Sequence, residues 1–290
     1  MSVLISAIVV NWNNKEDTLA CLNSLAQCTP FKPEIILVDN GSVDDTLAAA
    51  QAAYPDVDII ALPTNRHFAA GANHGLQLAL ARKADYAWLL NNDVIVAPEA
   101  LAEMLRVAKS DPAVGIVGAR LVHPGQPPHV VIGARCDFRT GAIHEPEPPL
   151  DLSLDRLPVD YVWGCSMLIR IGVLRQVGLL DERYVAYFED ADFCLRATQS
   201  GWQTVTALQA IVYHSGSKTA NRVFLQQMWL RGRNWLRCYW RHAPRTYRPR
   251  LLLGLLGYHL PRLAWSSLRT IVVRTLRPKG RPIRLWSRET

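Results

Sequence analysis

Val3-Leu4-Ile5-Ser6-Ala7-Ile8-Val9-Val10, with Asn11-Trp12-Asn13-Asn14 directly behind it, is the stretch that decides how this chain folds. An apolar run of that length, broken only by Ser6, is a strand covered on both faces rather than one that alternates between core and water. Lys15–Cys28 follows with Leu19, Leu22 and Leu25 at helical spacing, so the chain opens with a strand and then a helix. The alternation continues. Glu34–Val38 is a strand ending at Asp39-Asn40-Gly41-Ser42, and Val43–Tyr54 is a helix entered through polar residues suited to an N-cap. Asp58–Leu62, Ala70–Arg82 and Tyr86–Leu90 add strand, helix and strand. Such an order predicts an α/β fold: a mostly parallel sheet flanked by helices, which binds ligands outside the carboxyl ends of its strands. Those ends carry the unusual polar residues: Asn11 to Asn14, Asp39, Asn65 and Asn91-Asn92-Asp93.

Beyond the fourth strand the pattern weakens. Residues 123–160 are rich in Pro and His and read as loop or a short hairpin on the acceptor side. Structure resumes with Tyr161–Arg170, a helical Val173–Val177, the segment Tyr187–Phe193 and the strand-like Ala210-Ile211-Val212-Tyr213 before His214. After Asn221, Trp229, Trp235, Tyr239, Trp240 and Trp265 recur among arginines at the spacing of amphipathic helices.

The net charge of +7 hides a division at Thr219. Residues 1–219 carry 16 Lys+Arg and 24 Asp+Glu, giving −8, whereas residues 220–290 carry 16 cations against Glu289 alone, giving +15. We therefore divide the chain into a catalytic domain, 1–219, and a basic, aromatic-rich helical segment, 220–290. A concentrated cationic segment faces something anionic, either nucleic acid or a phospholipid surface. Leu251–Val273 is the most apolar part of it, yet His259, Pro261, Arg262 and Arg269 interrupt it before the ~18 uncharged residues that a membrane span needs. Lying on a bilayer fits it better than crossing one. The bland reading is that its Trp and Leu residues pack on the catalytic domain or on a second copy of the chain, in a homo-oligomer, leaving the arginines solvated. Six cysteines without a C-x-x-C pair indicate neither a zinc site nor a disulfide framework, and with no signal-peptide pattern at Met1 the expected location is the cytoplasm.

Several clusters carry chemistry. Asn91-Asn92-Asp93 follows an apolar strand, where a carboxylate would project into the crevice and hold a divalent cation between diphosphate oxygens; the alternative is a plain turn. Glu189-Asp190-Ala191-Asp192 sets three carboxylates within four residues beside Phe188 and Phe193, an apolar setting that raises a carboxylate toward a useful base; the alternative is the acidic first turn of a helix. His214, after a strand and before Ser215-Gly216-Ser217, is either a ligand completing a metal shell or a structural histidine. The run His67 to Gly75 opens a helix with small residues, Gly71 among them, that let a diphosphate approach free N–H groups; the same residues also serve close helix–sheet packing.

Taken jointly, Val10-Asn11-Trp12-Asn13, Val38-Asp39-Asn40-Gly41-Ser42, Asn65 through Gly75, Leu89 through Val94, Gly164-Cys165-Ser166-Met167 and Phe188 through Arg196 resemble the family 2 glycosyltransferases of GT-A (Rossmann-like) fold, in particular the rhamnosyltransferase-like members. The resemblance covers about residues 4–217 and implies an inverting, metal-dependent sugar transfer from a nucleotide-sugar donor. It assigns Asp39 to the nucleotide base, with Asn11 and Asn65 in the same pocket and Gly71, Asn73 and Asn92 around the donor. It assigns Asp93, with His214 and Asn91, to Mg²⁺ or Mn²⁺, Asp190 to the general base and Glu189 to orienting the acceptor. The implied donor is dTDP-rhamnose. The resemblance favours a growing polysaccharide as acceptor, and the cationic, Trp-rich segment 220–290 suits a lipid-linked one met at the inner face of the cell membrane. Asn91 departs from the acidic residue of many relatives, and His67 and Ala70 stand where glycine is common.

Two other functions compete. A sugar nucleotidyltransferase shares the layout and the metal but opens with a Gly-rich loop and a basic residue for triphosphate, which Asn11-Trp12-Asn13-Asn14 does not supply. A noncatalytic nucleic-acid binder would use the basic segment; it leaves the carboxylates at the strand ends unexplained, so no nucleic acid is expected.

Overall fold

The apolar run forms β1 (Ile5–Asn11), buried along its whole length. The computed structural model describes residues 3–147, 154–215 and 224–249. Within them the chain continues through α1 (Lys15–Ala26), β2 (Glu34–Asp39), α2 (Thr46–Ala53), β3 (Asp58–Ala61), α3 (His67–Ala81), β4 (Tyr86–Asn91), β5 (Val94–Val96), α4 (Ala100–Ser110) and β6 (Val114–His123). Then come β7 (His129–Val131), β8 (Arg135–Asp137), β9 (Ala142–His144), β10 (Arg156–Pro158), β11 (Ser166–Arg170), α5 (Ile171–Val177), α6 (Glu189–Gln199), β12 (Gln203–His214) and α7 (Phe224–His242). The segment expected to be loop or hairpin holds a real hairpin, β8 paired antiparallel with β9.

One sheet runs in the order β10-β12-β6-β11-β4-β1-β2-β3. From β3 to β4 every pairing is parallel; β11 enters antiparallel between β4 and β6, and β12 lies parallel to β6. The two-faced burial read from the sequence has a direct counterpart in β1. Ile5, Ala7 and Val9 pack in one layer with Leu22 and Leu25 of α1 and Leu101 and Leu105 of α4. Ile8 and Val10 pack in the other with Ala72 and Leu76 of α3 and Phe193 of α6. Each such fully buried aliphatic side chain contributes about 1.5–3 kcal/mol. Among the described residues no helix is long and apolar enough to cross a membrane.

The division drawn after Thr219 does not coincide with a break in packing. Trp235 and Tyr239 of α7 sit against Cys136, Phe138 and Ile143 of the hairpin and against Phe188. Trp235 donates Nε1–H to the Gly141 carbonyl at 2.9 Å, and the Tyr239 hydroxyl donates to the Ala142 carbonyl at 3.0 Å. The first helix of the basic segment thus packs on the same body as the hairpin β8–β9 and α6. Its aromatic spacing encodes docking on that side, while Trp229 and Trp240 remain 60% and 45% exposed. The apolar stretch Leu251–Val273 and Trp265 lie outside the described residues.

Candidate active site

The polar residues at the carboxyl ends of β1, β2 and β4 are joined in one buried network. Asn11, fully buried, donates Nδ2–H to Asp39 Oδ1 at 2.7 Å and to Ser42 Oγ at 3.0 Å. Its Oδ1 accepts from Thr18 Oγ at 2.7 Å and from Asn92 Nδ2 at 2.9 Å. Asn92 also reaches Thr18 Oγ and the Asn13 carbonyl, so its amide cross-links β4 to the start of α1. Asp39 accepts in addition from the Ser42 hydroxyl and from Ser42 N–H. A carboxylate has about four acceptor positions. Asp39 therefore gives two of them to the loop that follows it and a third to Asn11. That loop needs Gly41: its φ is +75°, and a Cβ there would lie 2.6 Å from the Thr64 carbonyl carbon. The network ends at a rim where Trp12 is 41% exposed and Val43 protrudes into solvent.

Three features expected at the donor pocket have partners within the protein. Asn73 is buried inside α3, donates to the Leu180 carbonyl at 3.0 Å and to Glu182 at 2.9 Å, and accepts from Leu180 N–H at 3.0 Å. Its amide anchors the loop before α6. At Gly71 an added Cβ would meet Asn40 Nδ2 at 3.1 Å and Val10 at 3.3 Å, so its small size serves packing beneath the pocket. The N–H groups at the entry of α3, expected to receive a diphosphate, are partly taken: Asn40 Oδ1 accepts from Arg66 N–H and Asn65 Oδ1 from His67 N–H, each at 2.8 Å. Asn65 and Asn40 set the helix entrance. Asn40 and Ser42 stand in the quoted motif without a role assigned to them and Thr18 was not singled out; their roles appear only in the spatial convergence.

Asp93 and His214 stand more than a hundred residues apart in sequence and meet because β5 pairs antiparallel with the end of β12, bringing His214 opposite Val94. Ser215 N–H closes the corner on the Asp93 carbonyl at 3.1 Å. His214 Nε2 lies 3.2 Å from Asp93 Oδ1, with both side chains largely buried. The directional geometry of a hydrogen bond is missing, and Asp93 Oδ1 and both His214 ring nitrogens are buried without a hydrogen-bond partner. Buried orphan atoms of this kind call for a third body. A divalent cation fits that donor set: a hard oxygen and an imidazole nitrogen, with further positions left for phosphate oxygens. Among the described residues no three His, Cys, Asp or Glu side chains converge on one point, so a cation held there would take few of its ligands from them. Burial pushes the Asp93 carboxyl upward, but His214 beside it, with a smaller contribution from Asn91, holds it below the ordinary carboxylate range. His123, also not singled out from sequence, sits edge-on to His214 with ring centroids 5.0 Å apart.

On the other side of the crevice, α6 begins with Glu189 and Asp190. Half-buried Asp190 accepts from Gly164 N–H at 3.0 Å and from Ala191 N–H at 2.8 Å. Burial raises its carboxyl above the ordinary range, the N–H groups of Gly164 and Ala191 opposing only in part. Glu189 is raised as well, by burial and by the charge of Asp190, and its Oε2 has no partner. The two sides meet at Cys165, whose carbonyl accepts from Asn91 N–H at 3.4 Å. Burial drives the Cys165 thiol far upward, and the charges of Asp93 and Asp190 both push it the same way. Asp192 differs: fully buried, it is paired with Arg196, Arg241 and His242. Directly before α6, Tyr187 and Phe188 both adopt left-handed backbone, φ 69° and 74°. Bulky residues in that region cost about 1–3 kcal/mol each and persist only where their surroundings hold them.

Such an arrangement has known relatives. Residues 6–178 match the model for glycosyl transferase family 2. The chain is 27% identical over 243 residues, 77% of this chain and 79% of the other, to the N-acetylglucosaminyl-diphospho-decaprenol L-rhamnosyltransferase of Mycobacterium tuberculosis. Among solved structures it superposes on GalNAc-T7 in complex with UDP, GalNAc and Mn²⁺, with a TM-score of 0.63, 15% identity and 81% of this chain covered; it spans 47% of that longer protein. It also superposes on a mannosyltransferase of Pyrobaculum calidifontis in complex with GDP-Man and Mn²⁺, with a TM-score of 0.57, 16% identity, and 94% and 76% of the two chains covered. With more than half of its length matched by the family model, the chain belongs to glycosyl transferase family 2 and is a glycosyltransferase.

Proposed function

We propose that the enzyme transfers rhamnose from dTDP-rhamnose, with inversion and with the help of Mg²⁺ or Mn²⁺, to a hydroxyl of a lipid-linked saccharide. The observation that carries this reading is a pair of unlike charge sites joined through the Gly164-Cys165 turn, where Gly164 N–H donates to Asp190 and the Cys165 carbonyl accepts from Asn91 N–H, two residues before Asp93. On one side Asp93 and His214 present buried, unpartnered donor atoms; on the other Asp190 is a carboxyl raised above its ordinary range. A cation bound by Asp93 and His214 would neutralise charge on the leaving diphosphate. Asp190, held by Gly164 N–H, takes the proton of the acceptor hydroxyl, and its raised pKa favours that role over that of an ordinary surface carboxylate. Glu189 faces the acceptor beside it. Asn11, Asp39 and Asn92 hold the loops that receive the nucleotide, Trp12 offers an exposed ring at their rim, and Asn65 and Gly71 shape the pocket through the entrance of α3.

The name of the mycobacterial relative supports a rhamnosyl donor and a polyprenyl-linked acceptor, and the Mn²⁺ bound in the two solved relatives supports the cation. Contact with an anionic membrane is supported by the outer face of α7. There Trp229 and Trp240 are exposed, with the guanidinium groups of Arg233 and Arg248 over their rings at 5.3 and 5.5 Å. The catalytic body would then work at the cytoplasmic surface.

A thermal-shift panel of dTDP, UDP and GDP, each with and without Mn²⁺, tests the donor and the metal together. Binding to the folded state alone stabilises it by about 2.7 kcal/mol at a ligand concentration of 100 Kd. We expect a shift that requires both dTDP and Mn²⁺ and disappears in Asp93→Asn and His214→Ala. A shift of equal size without metal, or none with any nucleotide, overturns the reading.

A further inference from the structure

We infer that Asn234 on α7 is a positioning residue for Asp190, an inference that rests on Asp190 being the base. The left-handed pair Tyr187-Phe188 turns the chain so that α6 starts with Glu189 and Asp190 facing the crevice. Nothing in the local sequence favours that turn: neither residue is glycine, asparagine or aspartate, the types that tolerate it. Its support comes from α7. Asn234 donates both of its side-chain hydrogen bonds to this turn, to the Ala186 carbonyl at 2.8 Å and to the Tyr187 carbonyl at 3.2 Å. Around it, the Arg231 guanidinium lies 4.4 Å from the centre of the Tyr187 ring, and Phe188 packs beside Trp235 and Tyr239.

Asn234 is fully buried, and its Oδ1 has no partner. A buried amide used on one side only is unfavourable for packing, where an apolar side chain would serve better. Its use here is to fix two carbonyls whose direction sets the following helix start. Past the base, Arg241 and His242 of the same helix reach Asp192 at 3.0 and 2.8 Å. So α7 grips the chain on both sides of Asp190, and the 3.0 Å contact between Asp190 and Gly164 N–H is held from a helix that lies outside the stretch matched by the family model.

The test uses Asn234→Leu, similar in size but without donors, and Asn234→Gln, which keeps the carboxamide. Release of nucleoside diphosphate from dTDP-rhamnose and from UDP- and GDP-sugars is followed with water accepting the sugar and giving its proton to Asp190, alongside hydrogen exchange of backbone amides 187–193. We expect Asn234→Leu to lower kcat by about tenfold to a hundredfold with the donor KM within about twofold, because small misplacements of a reacting group cost rate rather than affinity. The acidic limb of its kcat profile should move, amides 187–193 should exchange faster, and Asn234→Gln should recover part of the rate. Wild-type kcat, pH profile and exchange in Asn234→Leu would overturn the inference. So would a parallel fall of kcat, affinity and melting temperature that Asn234→Gln does not relieve. Should Asn234→Leu not fold, Asn234→Asp, of nearly the same shape but without the donors, answers the same question. If the wild type turns over no donor, the base reading fails; exchange of 187–193 still decides whether Asn234 holds the turn.

Discussion

Asp190 and Asp192 stand two residues apart on α6 and should respond in opposite ways to the same substitution. Asp192 is fully buried, 2.8 Å from Arg196, 3.0 Å from Arg241 and 2.8 Å from His242. Burial alone would raise its carboxyl; the hydrogen bonds from His242 and Arg196 and the charges of Arg196 and Arg241 outweigh it and hold the carboxyl below the ordinary range. Removing one partner of a buried ion pair costs about 3–5 kcal/mol because the other charge is left uncompensated. Arg241 is 41% exposed and can turn to water, so Asp192→Asn should fall at the lower end, ~3 kcal/mol. For a chain of this size that is a loss of about 6–12 °C in melting temperature. A depressed carboxyl contributes its full stability above its unfolded pKa of about 3.9, so the loss is complete at pH 7.

Asp190 has the reverse sign. Its carboxyl is raised in the fold, so ionisation favours the unfolded chain increasingly as pH climbs above the unfolded pKa. Asp190→Asn should therefore melt no lower than wild type, with more gain at pH 7 than near the unfolded pKa of about 3.9, while losing transfer by the usual ~10²–10⁴-fold for a missing general base. Differential scanning fluorimetry of both variants across that range, beside donor turnover at pH 7, makes the comparison. Equal melting shifts in the two variants, or a turnover loss larger in Asp192→Asn, would refute the division of labour drawn here.

Gly41→Ala should cost at least the ~1–3 kcal/mol of an overpacked site, since the new methyl meets the Thr64 backbone at a left-handed φ, and should weaken the nucleotide-dependent thermal shift. Asn73→Ala should lower stability by about 1–3 kcal/mol, through the orphaned Leu180 N–H, with nucleotide affinity unchanged; isothermal titration separates this from a ligand role. Trp229→Ala with Trp240→Ala should reduce co-sedimentation with anionic vesicles while leaving the melting temperature within about 1–2 °C, and binding by the wild type should weaken as salt rises. Binding that is insensitive to both would remove α7 from any membrane contact.

The layered α/β architecture was legible because β1 announces it: one strand feeding two cores must be apolar at consecutive positions, and Ile5 through Val10 are, apart from Ser6. Strand and helix ends were read within a few residues, as with α3, which begins at His67 rather than Ala70. What stayed hidden was whatever depends on convergence. That Asn73 faces Leu180, or that Asn40 closes the mouth of α3, follows from packing between elements far apart in sequence. The same holds for α7. Its period of aromatic and basic residues predicts an amphipathic helix, yet periodicity does not say which surface covers the apolar side, and the hairpin β8–β9 that does so is built from short strands with no strong signal of their own.

Asn91-Asn92-Asp93 shows why neighbouring residues of one motif cannot be given one role. Asn92 reaches β1 and α1, where its amide completes the Asn11–Thr18 network, while Asp93 meets His214 at the end of β12. An acidic residue at 91 would put a second negative charge close to a carboxylate already largely buried, a cost that a bound cation would offset. Asparagine avoids that cost. The motif therefore divides into one part that keeps the loops after β1 and β4 in register and one that handles charge. With asparagine at 91, what holds the Asp93 carboxyl below the ordinary range is chiefly His214, 3.2 Å away.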